Sequence, residues 1–204
     1  MNRTFVRVVF AAIAGLVICA RPDAQAPANQ WYGLQANPKN VDPPKVFTGT
    51  FQIALPKNWH MAPGHQGTIF SIVEDTKRWE TGGVITLEHM QLQERFETPL
   101  IAGLSDQELT ATAGAVELKT VRDRELSGKE FAVSLLARNP RIVFLVHYVR
   151  PGISGTDDHV VQYSIPIGLV MYRLICIAPV ATFAKYQPLF AHVAASFQPV
   201  KAGS

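Results

Sequence analysis

The sequence predicts an α+β domain in which helices pack on the faces of a central, mostly antiparallel sheet. Three observations lead there. Strand-like segments recur along the chain, separated by Pro, Gly and Asn turns. Two helical patterns stand out, one near residue 105 and one at the C-terminal end. Their order is strands, helix, strands, helix rather than a strict alternation of strand and helix, which sets the chain apart from parallel α/β folds.

The first segments are not part of that domain. Arg3 and Arg7 precede an unbroken apolar run from Val8 to Ala20, and small residues follow. This is the layout of a Sec signal peptide, and the run is too short for a membrane span, which needs about 18 apolar residues. Cleavage is expected after Ala26 or Ala28. Lipidation at Cys19 is disfavoured because "LVI" precedes it where small residues are expected. Residues 29–46 carry Pro38, Pro43 and Pro44 with no apolar period and read as a linker or N-terminal arm. A single domain is expected over residues 47–200, with 201–204 as a tail.

Composition narrows the partners. The chain has 204 residues, 48% hydrophobic and 17% charged, which is a globular balance. Losing residues 1–28 removes three arginines and one aspartate and lowers the formal charge from +3 to +1. A nearly neutral surface gives no counterion-release drive toward nucleic acid. Loss of Cys19 leaves Cys176 without a disulfide partner, so stability rests on the core.

Within the domain, "FQIALP" alternates Phe51, Ile53 and Leu55 on one face and is stopped by Pro56. "GTIFSIV" (67–73) and "GVITLEHMQL" (83–92) follow as strands rich in β-branched residues, joined by a polar loop with a glycine pair. Ser105 and Glu108 have the spacing of a capping box, and Leu104 and Leu109 that of a hydrophobic staple, so a helix starts here. Leu109, Ala113 and Val116 share a face, and the Ala, Thr and Gly content predicts a close approach to the sheet. Strands are expected again in "TVRDREL", "KEFAVSLLA" and "RIVFLVHYV" (141–149). The last of these is apolar on both faces and is expected to be central. "PGISGTDD" forms a hairpin loop, "HVVQYSI" a strand, and "LVMYRLICIA" the last strand, with Val170, Tyr172, Leu174, Cys176 and Ala178 on one face. Phe183, Tyr186, Phe190, Val193 and Phe197 then follow helical spacing. Pro188 predicts a short turn over 182–187 and a helix proper from 188 onward.

The motifs "F-x-I-x-L-P-x-x-W" (51–59), "G-x-x-F-S-I" (67–72) and "Y-R-L-I-C-I-A-P-x-x-x-F-x-x-Y-x-P-x-F-x-x-V-x-x-S-F" (172–197) resemble the PsbP-like superfamily. Its members include the extrinsic PsbP protein of photosystem II, a Ran-binding import factor and DcrB-type envelope proteins. The resemblance spans nearly the whole of residues 47–200. It implies an α/β/α sandwich and a non-catalytic binding or assembly role. The chain lacks an acidic patch of the kind that would dock a basic GTPase, and no family binding residue carries over.

Candidate sites are few. Cys176 sits among apolar neighbours and reads as core packing. His60 and His65 flank one loop, and Asp157, Asp158 and His159 end another; together they would supply a metal site only if the two loops meet. His89, His147 and His192 lie in strands or a helix and read as ordinary side chains with satisfied hydrogen bonds. No nucleophile elbow, zincin or P-loop motif is present. Trp59 is expected beneath the following loop. Trp31 and Tyr32 in the arm, and Arg78 and Trp79 in the polar 74–82 loop, are the residue types that dominate interfaces. The reading is a secreted or periplasmic, monomeric, non-enzymatic protein without cofactor that binds an envelope or secreted protein. A carrier of a small apolar ligand is the alternative, and a metal-dependent hydrolase a third.

Overall fold

The computed structural model describes residues 45–47, 51–63, 68–74, 82–93, 95, 101, 103–123, 129–138 and 141–199. Its centre is a seven-stranded sheet in the order β3 (His60–Pro63), β4 (Thr68–Val73), β5 (Val84–Gln91), β9 (Val170–Pro179), β8 (Asp157–Ile167), β7 (Val143–Pro151), β6 (Lys129–Ala137). Every neighbouring pair is antiparallel. Helix α1 (Asp106–Asp123) covers one face. On the other lie helix α2 (Phe183–Ser196) and a three-stranded sheet of β1 (Lys45–Phe47), β2 (Phe51–Ile53) and β10 (Gln198–Pro199). The α+β class with helices on both faces is therefore as the sequence predicts.

Alternation along the strands divides the core. Phe70, Ile72, Ile85, Leu87, Val161, Tyr163, Leu174 and Cys176 face α2 and pack with Phe51, Ile53, Phe190, Val193 and Phe197. Phe51 stacks on Phe70 at 5.8 Å and on Phe197 at 5.5 Å between ring centroids, so β2 joins the C-terminal helix to the sheet. The opposite face carries Phe144, Val146, Val160, Met171 and Ile175 toward Leu109, Ala113 and Val121 of α1. A Cβ on Gly114 would stand 3.9 Å from Val133, which is the close helix–sheet approach that the small residues of α1 predict.

The capping box forms. The Ser105 N–H donates to Glu108 Oε2 at 2.8 Å, and the Glu108 N–H donates to Ser105 Oγ at 3.3 Å. The hydroxyl and N–H of Ser105 hold the exposed Glu108 carboxyl below its ordinary range.

Several local expectations are corrected. "FQIALP" does not join the main sheet: Phe51–Ile53 pairs with β1 and β10 instead. Thr120–Asp123, expected to start a strand, continues α1, because Val121 extends the buried line of Leu109 and Ala113 at four-residue spacing. β7 is next to the edge rather than central, with β9 at the middle. Its apolar character on both faces arises because α1 covers even a strand that far out.

Pro188 lies inside α2, which begins at Phe183. The missing N–H leaves the Ala184 carbonyl without its intrahelical donor, a cost of about 3 kcal/mol. Burial of Phe183 and Tyr186, each contributing roughly 1.5–3 kcal/mol, offsets it. Trp59 packs edge-on against Tyr186 and Phe190 of α2, at 6.1 and 6.3 Å between centroids, rather than under a loop.

Candidate functional site: a loop-bearing sheet end and an enclosed polar network

Among the described residues two regions gather the groups of interest, and they have opposite characters. The first is enclosed between α1 and the sheet. Glu117 sits on the buried stripe of α1, in line with Leu109, Ala113 and Val121. Its carboxylate accepts from Gln162 Nε2 at 2.9 Å, from Ser164 Oγ at 2.9 Å and from Arg173 Nε at 3.3 Å, and Arg173 Nη2 lies 3.0 Å from Oε2. Gln162 Nε2 also donates to Ser164 Oγ at 2.7 Å, and Arg173 Nη2 donates to Thr120 Oγ1 at 3.0 Å. Arg173 is 3% exposed and Glu117 1%. A charged pair this deep is tolerable only when hydrogen bonds satisfy both partners, as they do here. The network ties α1 to β8 and β9. The four contacts to the Glu117 carboxylate all come from side chains of the sheet, so its work is cohesion.

The second region is one end of the large sheet. Register puts His60 beside Val73, Val73 beside Val84, Val84 beside Ile177, and Asp158 beside Pro179. The β7–β8 hairpin, the β9–α2 turn and both ends of the β4–β5 connection therefore share this end. The hairpin is closed by Gly152 N–H donating to the Thr156 carbonyl at 2.8 Å, and the Val180 N–H donates to the Asp157 carbonyl at 3.0 Å. Ile153, at the hairpin tip, is 70% exposed, and Val180 is 50% exposed. Apolar side chains displayed on these turns gain nothing from water, and the hydrogen bond from Val180 sets it beside the exposed Asp157.

The residues proposed for a metal are dispersed. His60, on β3, lies four inter-strand spacings from Asp158, about 19 Å at the usual separation; His65 lies outside the described residues. Asp158 and His159 point to opposite faces of β8. Asp158 is directed toward Arg150, 3.9 Å away, and burial raises its carboxyl against the pull of that arginine. His159 lies face to face with Phe183, the first residue of α2, with centroids 4.0 Å apart. Among the described residues no three His, Cys, Asp or Glu side chains converge on a common point.

What the structure does bring together is His159 with His147, at 6.3 Å between ring centroids. Burial pushes both imidazoles down, and for His159 the charge of His147 adds to this, while Glu130 pulls both the other way. Glu130 has φ +58, a left-handed backbone at a β6 irregularity. Sequence alternation assigned His147 correctly to a strand, but only the β7–β8 register makes it a diagonal neighbour of His159.

Cys176 is enclosed, and burial pushes its thiol well up, away from the thiolate needed for chemistry. Ser196 donates to the Val193 carbonyl at 2.6 Å and accepts from the Ala54 N–H at 2.8 Å, so it staples α2 to the chain after β2. Trp31, Tyr32, Arg78 and Trp79 lie outside the described residues. Sequence reasoning missed Glu117 and Arg173, although Glu117 keeps the four-residue period of the apolar stripe. It also missed Ile153 and Val180, for which no sequence signal separates exposed from buried.

No family model matches the chain, and no curated protein matches it. Solved structures do. The solution structure of cyanobacterial PsbP (CyanoP) from Synechocystis sp. PCC 6803 aligns with a TM-score of 0.52 at 13% identity, over 77% of this chain and 91% of the other. The Ran-binding protein Mog1p of Saccharomyces cerevisiae aligns with a TM-score of 0.51 at 10% identity, over 79% of this chain and 96% of the other. Identities this low speak to architecture alone. With its antiparallel sheet, α1 on one face and α2 with β2 on the other, the chain has the PsbP-like fold.

Proposed function

We propose that this chain is an exported, non-catalytic binding or assembly protein that meets a protein partner through the loop-bearing end of its sheet. The observation that carries this reading is the exposure of Ile153 and Val180 on neighbouring turns. Met61 on β3 and Leu169 on the β8–β9 turn are exposed as well, but Ile153 and Val180 stand together at the loop-bearing end, where a contact would remove both from water. The groups that would do chemistry are committed to cohesion: the Cys176 thiol to the α2 core, Glu117 and Arg173 to each other, Ser196 to the backbone. Mog1p, which has a similar architecture, is a Ran-binding protein, so the fold can carry protein recognition.

Arg78 and Trp79 belong to the same proposal. They lie on the connection between β4 and β5, whose flanking residues Glu74 and Gly83 are joined by a hydrogen bond at this end of the sheet. Trp31 and Tyr32 in the N-terminal arm are a second contact segment. Export follows from the leader over residues 1–28. No helix among the described residues is long and apolar enough to cross a membrane.

The test uses the full chain expressed with its leader in a bacterial host. N-terminal sequencing of periplasmic material should begin at Pro27 or Asn29. In-cell crosslinking should then trap a defined partner with the native chain and lose it with the Ile153→Asp/Val180→Asp double variant. Retention of the intact leader in the cytoplasm, or identical crosslinks from both proteins, overturns the reading.

A further inference from the structure

We propose that His147 and His159 form an acid-sensitive seat for the N-terminal turn of α2, so that protonation of the pair loosens this turn from the sheet. The geometry has three parts. The two imidazoles are diagonal neighbours on β7 and β8, 6.3 Å apart. The His159 ring is the platform on which Phe183 rests, at 4.0 Å and 21° between planes. Phe183 is the first residue of α2 and also touches Phe190, with centroids 5.9 Å apart, so the stack anchors the opening turn to the helix core.

Burial opposes a positive charge on either imidazole, and the second imidazole adds to this at His159, against the pull of Glu130. The N-terminus of a helix is its positive end. Here Thr182, the N-cap, makes no side-chain cap bond, and the first turn contains no acidic residue. A second imidazolium would stand beside the first in a half-buried setting. Among the described residues, the groups near the pair include Glu130 from β6, Asp157 on β8 itself and the uncharged Ala178 from β9, while the Lys185 ammonium of α2 is turned to Glu74 at 3.4 Å. Glu130 and Asp157 are exposed and face solvent, so they compensate weakly.

The sign of the effect follows. Both imidazoles titrate lower in the folded protein than in the unfolded chain. Above the unfolded-state value, near 6.5, neither state holds the protons and stability is unaffected. As pH falls below it, the open state takes up protons first, and stability of the seat declines until the folded-state values have been passed.

Hydrogen exchange of the full chain, without any partner, tests this. After division by the intrinsic rate at each pH, peptides spanning 181–190 should open on the order of tenfold more often at pH 5 than at pH 7.5, while peptides of α1 hold their protection. The His147→Gln/His159→Phe double variant keeps an aromatic platform under Phe183 without the protons and should flatten that pH response. If this variant fails to fold, the imidazole resonances of the native chain serve instead: both should titrate below the ordinary histidine value, and each should shift with the other. Unchanged protection of 181–190 between the two pH values, an equal response in the variant, or two independent histidines titrating at the ordinary value would each overturn the proposal. None of these readouts involves a partner, so their failure is separable from failure of the proposed binding role.

Discussion

Removing one member of the Glu117–Arg173 pair should unfold this protein far more readily than removing both. Glu117→Ala withdraws four acceptor contacts at 2.9, 2.9, 3.3 and 3.0 Å. Gln162 and Ser164 still have each other at 2.7 Å, so their loss is partial. Among the described residues Arg173 keeps Thr120 Oγ1 at 3.0 Å and Met90 Sδ at 3.4 Å for a guanidinium 3% exposed. An uncompensated buried charge of this kind costs about 3–5 kcal/mol, against a total stability of roughly 5–15 kcal/mol for a domain. Arg173→Met strands the Glu117 carboxylate in the same way, though two neutral donors remain to it. The double variant Glu117→Leu/Arg173→Met removes both charges and leaves Gln162 and Ser164 bonded to each other. It should lie within about 2 kcal/mol of the native chain, since apolar replacement of a whole buried pair is often neutral or favourable. Urea unfolding followed by far-UV circular dichroism, analysed as a double-mutant cycle, measures this. Additive losses, or single variants costing under about 1 kcal/mol, would show that water reaches the pair and that the enclosure described above is wrong.

Three other outcomes are expected from the packing. Gly83→Ala should cost about 1–3 kcal/mol, because a Cβ would stand 2.6 Å from Trp59 Cη2 and 2.8 Å from Tyr186 Cδ1; thermal unfolding alone and with Trp59→Phe reads it, and the smaller ring should recover part of the loss. Cys176 should react with an aromatic disulfide reagent only as fast as the chain opens, since its thiol is enclosed and raised in pKa; rapid modification of the folded protein would contradict this. Pro188→Ala should stabilise by about 1–3 kcal/mol by restoring a donor for the Ala184 carbonyl, and chemical denaturation would reveal it.

The parts of the fold that local physics governs were readable in advance. Ser105 and Glu108 announced the start of α1 because a capping box is a property of four consecutive residues. Tyr172, Leu174, Cys176 and Ala178 announced the buried face of β9 because strand alternation is equally local. What stayed hidden depends on partners distant in the chain. Glu117 and Arg173 are 56 residues apart and meet only through the packing of α1 on the sheet. β2 leaves the main sheet because Phe51 finds Phe70 and Phe197, an arrangement that no window around Phe51 contains. Pro188 misdirected the start of α2 because propensity there is overridden by the burial of Phe183 and Tyr186. The candidate site was the least legible part: Ile153 and Val180 look like any other β-branched residues until their neighbours are known.

In-cell crosslinking of the native chain beside Ile153→Asp/Val180→Asp, with unfolding midpoints measured for both, is the most direct test of recognition at the loop-bearing end. Equal midpoints, with a partner trapped by the native chain and lost from the variant, are the predicted result. Equal midpoints with the same partner trapped by both would contradict it.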